Sequence, residues 1–326
     1  MARDFRSYMA RRLLYTLITI FLILSFNFLL FRVMPGDPFR IMVPKGADEL
    51  TREHYMDHYG LDEPLIVQYF IYLGQTLTGH LGVSISKFPG SDVEDILGPY
   101  LENTLILAGI GTVLSIVVGL YLGRETAWRR GKLADRVGSA FFLVFYCMPT
   151  FLFALILLML FAHYVPEWPI RGPYGDEYFD LDLIGKLWDR TFHTILPLFA
   201  LVIETIATFS IITRSSLIDV LTEEYMVTAV AKGLRGRQVL KEHAMPNAML
   251  PVVTVVAMNV GWIVSGSIMI EIIFSYRGLG VLTWDAVMAQ DYPLVQAIFM
   301  LETIAVLIAN FLADLMLFRL DPRLKL

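Results

Sequence analysis

Cysteine is nearly absent from this 326-residue chain: Cys147 stands alone. That excludes an intrachain disulfide framework and a zinc site built on cysteines. Charge is scarce as well. Asp, Glu, Lys and Arg make up 17% of the residues, against roughly 25% in a soluble domain, so the chain has little surface to offer water. The 26 Lys and Arg against 31 Asp and Glu leave a net charge of −5, which argues against a nucleic-acid partner, because phosphate neutralisation needs clustered cations. There is no G-x-x-x-x-G-K-[ST] phosphate loop, no H-E-x-x-H helix, and no Ser/His/Asp or Cys/His set suggesting hydrolysis. The alternating ten-residue strands of a membrane β-barrel are missing too. What is abundant is apolar: 56% of residues are hydrophobic and the mean hydropathy is +0.60.

The apolar residues fall into six runs. Residues 13–31, 103–123, 137–166 and 243–270 contain no Asp, Glu, Lys or Arg; 191–213 contains only Glu204, and 292–313 only Glu302. About 20 apolar residues in a helix cross a bilayer core of about 30 Å, and lipid obliges each crossing to satisfy its own backbone. The expected fold is all-α, with six transmembrane helices. The first run follows Arg3, Arg6, Arg11 and Arg12 as a signal peptide would, but it exceeds the apolar core of one and no small-residue cleavage site follows. It reads as a retained helix.

Lys and Arg set the orientation. Seventeen lie on the side holding the N-terminus, the loop after span two, the loop after span four and the tail; eight lie on the other side, with Arg32 at a boundary. The positive-inside rule then puts both termini in the cytoplasm. The expected organisation is residues 1–33 as a cytoplasmic start and first span, 34–102 as an external segment, 103–318 as the transmembrane core, and 319–326 as a cytoplasmic tail. Residues 34–102 carry eleven acids against four cations. The stretch from Pro64 to Leu73 within them suits an amphipathic piece at the interface.

The loop between spans four and five, 214–246, carries the functional signal. Thr222 is placed to N-cap a short helix, with Glu223 and Glu224 in its first turn, Lys232 in its last and Gly233 at its C-terminal turn. A turn at Gly236 and a second short helix to Pro246 would follow. Such a helix-turn-helix suits docking to a soluble partner; a solvated connector is the plainer alternative.

The run Tyr225, Thr228, Ala229, Ala231, Lys232, Gly233 and Leu234 resembles the EAA signature of ABC importer permeases, in the form used by the dipeptide/oligopeptide/nickel family. The resemblance extends along nearly the whole chain. It takes in Arg11–Leu14, Pro35–Pro38, Gly60–Pro64 with Gln68–Tyr69, Gly79–Ser84, Asn103–Leu105, Asn247–Val252, Glu271–Ser275, Gly278–Gly280, Asp291–Pro293 and Leu320–Arg323. Val230 departs from it where the family usually has Arg, and Arg277 where it usually has Pro. The resemblance implies a type I importer permease that binds no cofactor and performs no catalysis. ATP and Mg would sit on two partner ATPase subunits gripping the 223–237 loop, with Glu224, Tyr225, Thr228, Ala229, Ala231, Lys232, Gly233 and Leu234 as the coupling residues. It also implies a second homologous permease, an extracytoplasmic binding protein that selects the substrate (a peptide, or a related small solute such as nickel), and a cytoplasmic-membrane location.

Within the membrane, Glu204, Asn259 and Glu302 are candidates for the translocation path, since intramembrane acids should face protein or water. Helix-to-helix bonding is the alternative for each, and for Asn27, Asn259 and Asn310 the favoured one. Gly119–Gly123 fits G-x-x-x-G packing, and Cys147 beside Met148-Pro149 reads as a small buried thiol at a kink. His54 and His58 are four apart, a spacing able to hold a metal, though a solvated face explains them better. A self-powered secondary transporter or channel using Glu204 and Glu302 is the competing function; it would have no need of an ATPase socket.

Overall fold

In the computed structural model, residues 2–33, 49–50, 53, 56, 60–263 and 266–320 are described. His54, His58, the Pro35–Pro38 motif and residues 321–326 lie outside them. Among the described residues there is no strand beyond an isolated bridge between Val83 and Asp92, and the protein is built from helices. In chain order these are α1 (Ala2–Val33), α2 (Leu65–Thr78), α3 (Val93–Trp128), α4 (Leu133–Cys147), α5 (Thr150–Tyr164), α6 (Leu183–Leu221), α7 (Glu224–Ala231), α8 (Gly236–Gly261), α9 (Ile268–Ile273), α10 (Leu279–Met288) and α11 (Tyr292–Leu320). Five of them, α1, α3, α6, α8 and α11, contain windows long and apolar enough to cross a membrane.

The sixth crossing is the pair α4 and α5, and it is not one rod. The two arms meet at 97°. Pro149 offers no N–H and forces the residue before it out of the helical region, so Met148 is extended at φ −80°, ψ 125° and the helix restarts at Thr150. The kink expected beside Met148-Pro149 in the 137–166 run is thus a full break. The structure also corrects the reading of Cys147, which is exposed rather than buried.

α3 and α6 form the spine. Ser210 Oγ donates to the Gly119 carbonyl (3.2 Å), and a Cβ at Gly123 would sit 2.6 Å from the Ser210 carbonyl oxygen. The two backbones therefore touch where only hydrogen fits, which is the packing role expected of Gly119–Gly123. α1 lies against α11, with Arg12 donating to Asp314 at 2.8 Å and Asn27 Nδ2 to the Gln296 carbonyl at 3.2 Å. Asn27 thus holds helices together. Asn310 is exposed.

α8 replaces the second short helix expected to stop at Pro246. A π-helical turn, Val239–Ala244, precedes Met245, and the helix runs on through Pro246 and Pro251 to Trp262. The wider turn re-routes the backbone bonds that Pro246 would otherwise break.

Candidate functional site

The 214–246 loop is held at one end of the bundle, the loop end. Arg214 grips Asp135 with two bonds, Nε–Oδ1 at 2.7 Å and a terminal nitrogen to Oδ2 at 3.1 Å; Asp135 also accepts from the Gly131 N–H (2.9 Å) and Ser139 Oγ (3.2 Å). Ser216 Oγ donates to the Ala248 carbonyl at 2.7 Å. Trp128 lies over Gly236, where a Cβ would come within 3.2 Å of its ring. The loop is thereby fastened to the turn at 129–132, to α6 and to α8.

Thr222 ends α6 rather than starting α7: its Oγ1 and N–H both bond back to the Asp219 carbonyl. Glu223 is the N-cap of α7, without a side-chain cap bond. A side chain satisfied by the preceding helix cannot also cap the next one. At the other end, Gly233 takes φ +78° and its N–H bonds the Val230 carbonyl at 2.9 Å, the left-handed exit expected of it.

α7 is two-faced. Met226 and Ala229 pack inward against Ala127, Leu217, Val239, Ala244 and Ala248. Glu224, Tyr225, Val227, Thr228, Val230, Ala231, Lys232 and Gly233 are exposed, and Leu234 is half-buried against the same cluster. Ala229 therefore serves the loop's own packing, while Tyr225, Val227 and Val230 present apolar surface outward. Arg235, Arg237 and Lys241 follow on the exposed side.

The intramembrane candidates stand apart. Thr150 Oγ1 donates to Glu204 Oε2, tying α6 to the start of α5. Asn259 Nδ2 donates to the Val255 carbonyl of its own helix at 2.9 Å. Glu302 lies half-buried on α11. Among the described residues no hydrogen bond joins these three to one another.

At the far end of the bundle lies a polar system not singled out as a site from the sequence. Glu271 is fully buried; its Oε1 accepts from Thr104 Oγ1 (3.2 Å) and its Oε2 from the Val281 N–H (3.0 Å), while Thr104 Oγ1 accepts from the Leu279 N–H (2.7 Å). Gly266, Gly278 and Gly280 leave the space its carboxylate fills, since a Cβ at any of them would fall within 2.9 Å of it. Burial pushes the Glu271 carboxyl up to about 7, against the pull of those bonds. Asp291, also fully buried, accepts from Ser84 Oγ (2.5 Å) and from the N–H groups of Ile85, Ser86 and Lys87 (3.3, 3.1 and 2.9 Å). Arg190 joins Glu102 and Asn103 at 2.6 Å each, and Asn103 Nδ2 reaches the Arg277 carbonyl at 2.8 Å. The signal for this system was the set of short motifs around Ser84, Asn103–Thr104, Glu271, Gly278–Gly280 and Asp291: distant in sequence, they are bonding partners in space.

A bundle of apolar spans with one two-faced helix fastened outside it defines a multi-pass membrane protein. The comparisons agree. Residues 91–326 match the family described as the binding-protein-dependent transport system inner membrane component, and residues 5–90 match its N-terminal family. The chain belongs to this family of ABC importer permeases, whose members are non-catalytic subunits working beside separate ATPases. It is 31% identical over 319 residues to the oligopeptide transport system permease protein AppB of Bacillus subtilis, covering 98% of this chain and 99% of that one. It is 34% identical over 321 residues to the dipeptide transport system permease protein DppB of Escherichia coli K12, covering 93% of each. A solved structure of the MetNI methionine ABC transporter in inward-facing conformations shares the fold, with a TM-score of 0.54 at 15% identity over 69% of this chain and 96% of that one.

Proposed function

We propose that this permease carries di- or oligopeptides, delivered by an extracytoplasmic binding protein, and that two ATPase subunits drive it through the 223–237 loop. The loop end and both termini face the cytoplasm, and residues 34–102 face outward, in keeping with seventeen cations against eight. A second homologous permease completes the pore. The names of the relatives support the substrate class. The observation that carries the coupling is the outward face of α7: Val227 and Val230, one turn apart, are 69% and 61% exposed outside the spans, with Tyr225 exposed on the other flank, and grouped apolar surface in water marks a docking site.

Closure of the ATPase pair would pull on α7. Met226 and Ala229 pass that pull to α6 and α8, and the Arg214–Asp135 pair passes it to α4. These helices are arranged to rock between inward- and outward-open states, an alternating-access cycle. Family membership favours this reading over a self-powered carrier.

The test is Val227→Glu and Val230→Glu, made singly. Each should insert normally, since both side chains leave the protein's own core untouched, yet lose ATPase co-purification and uptake of a labelled dipeptide. Wild-type association and uptake in both variants would reduce the loop to a connector. Uptake reconstituted without any second permease would remove the heterodimer.

A further inference from the structure

Glu204 stands near the middle of residues 191–213 of α6, where it is the only charged group. A carboxylate at that depth must face protein or a water-filled path, because lipid offers it nothing. Among the described residues its one hydrogen-bond partner is the Thr150 hydroxyl, on Oε2, and no Lys or Arg is paired with it. Glu204 is half-buried, and its Oε1 is left open.

Thr150 opens α5 directly after the 97° break. The Met148 N–H still bonds the Val144 carbonyl at 3.1 Å, and Pro149 has no N–H to give. In α5 the first N–H groups to bond are those of Leu152 and Phe153, both to the Pro149 carbonyl at 3.0 and 3.3 Å. Among the described residues, the carbonyls of Phe145, Tyr146 and Cys147 therefore receive no backbone N–H. The rest of the chain does not cover this bend: Tyr146, Cys147, Pro149 and Phe151 are all exposed. Irregular backbone at membrane depth persists only inside protein or along a water-filled cavity. Broken spans with open carbonyls are where transporters hold cations. Here the positive end of the α5 dipole lies towards Glu204, and the negative end of the α4 dipole is left without a counter-charge. The rings of Phe145, Phe153 and Phe199 run across the bend from α4 to α5 to α6, with centroids 5.4 and 5.9 Å apart.

We propose that the bend between α4 and α5 is a binding point for a primary ammonium, with Glu204 as its counter-charge. In this permease the group is the free amino terminus of the peptide in transit, so the inference rests on the peptide reading above. An ammonium brings three N–H donors: one goes to Glu204 Oε1, and the others are left for the open carbonyls at the end of α4. The phenylalanine rings supply the kind of face a cation prefers. A peptide carboxylate would meet like charge at Glu204, so the site reads the amino end of the peptide and not its carboxyl end.

The test is equilibrium binding of labelled dialanine to the assembled permease–ATPase complex in nanodiscs, without the binding protein. Dialanine methyl ester keeps the ammonium and should compete as well as dialanine itself. N-acetyl-dialanine lacks it and should compete about tenfold more weakly, the effect of one charge-assisted hydrogen bond. Glu204→Gln keeps an acceptor for Thr150 but not the charge. It should bind dialanine about tenfold more weakly, with melting temperature and ATPase association unchanged. Thr150→Val, which releases Oε2, should weaken binding about threefold, and it decides the matter if Glu204→Gln does not assemble. Four results overturn the proposal: no binding to the wild-type complex, equal competition by the acetylated peptide, competition by Na⁺ as strong as by the ester, or wild-type affinity in the deciding variant. Uptake of labelled dialanine by the wild-type importer is measured separately. Uptake without such binding removes the ammonium site and leaves the transport reading standing, whereas no uptake removes the reading on which the site rests.

Discussion

At the scale of single residues, Glu271 links pH to stability. Burial raises its carboxyl from an ordinary 4.5 to about 7, so the folded protein holds a proton that the unfolded chain has released. The favourable contribution is complete below pH 4.5 and is lost as pH climbs through about 7. Thermal melting in detergent should therefore fall between pH 5 and 8. Glu271→Gln, which keeps the shape without the charge, should flatten that fall and gain up to about 3 kcal/mol at pH 8. A variant that tracks wild type across the range would show that Glu271 titrates normally. Gly233 is constrained by dihedral angle alone: φ is +78° and a Cβ would meet nothing within 4 Å. Gly233→Val should cost about 1–2 kcal/mol of local strain, released by redirecting the exit of α7. Gly233→Asn, better tolerated in that region, should retain more ATPase in co-purification than Val does. The opposite order would mean that the left-handed turn is unimportant.

At the scale of elements, the hydrophobic runs located the crossings because lipid leaves a span few alternatives. The left-handed glycine after α7 was legible for a similarly local reason: a glycine just past a short helix's last turn is its commonest left-handed exit. Proline was harder to read. Pro149 breaks a span at 97°, yet Pro246 and Pro251 are carried inside α8. For Pro246 the difference lies in the π-turn at Val239–Ala244 just before it, which has no signature of its own in the residue types; Pro251 is simply carried inside the helix. Thr222 was misread as an N-cap because helix caps depend on the neighbouring helix, and α6 takes the threonine. The Arg214–Asp135 pair likewise joins elements 79 residues apart. It is the clamp between α4 and α6, and Asp135→Ala should strand a half-buried guanidinium. Removing a partner from a fully buried pair costs about 3–5 kcal/mol; Arg214 is 28% exposed, so about 1–3 kcal/mol is the reasonable expectation. Melting and limited proteolysis within 214–246 would register it. Unchanged proteolysis would show that the loop keeps its place without the clamp.

At the scale of the whole molecule, orientation is the quantity to check. In a background with Cys147 replaced, Lys87→Cys and Lys132→Cys should label from opposite faces of sealed vesicles: Lys87 lies in the far-end loop beside Asp291, and Lys132 in the turn next to Asp135. Labelling of both from one face would invert or break the six-crossing scheme. The contacts that join the two ends of the chain were not legible, because an isolated Asp or Ser carries no address for a partner two hundred residues away. Ser84 and Asp291 are such a pair, separated by 207 residues.

That separation has a meaning in time. A ribosome adding about 5–20 residues per second needs roughly 10–40 s to make the stretch between Ser84 and Asp291. Through that interval the N–H groups of Ile85, Ser86 and Lys87 have only water to bond. The far-end loop gains its carboxylate anchor only when Asp291 is made, just before α11 begins; until then it is held by its local bonds alone, such as the Ser84 N–H to the Ser91 carbonyl. The last crossing to be synthesised is in this sense the one that completes the loop at Ser84–Lys87.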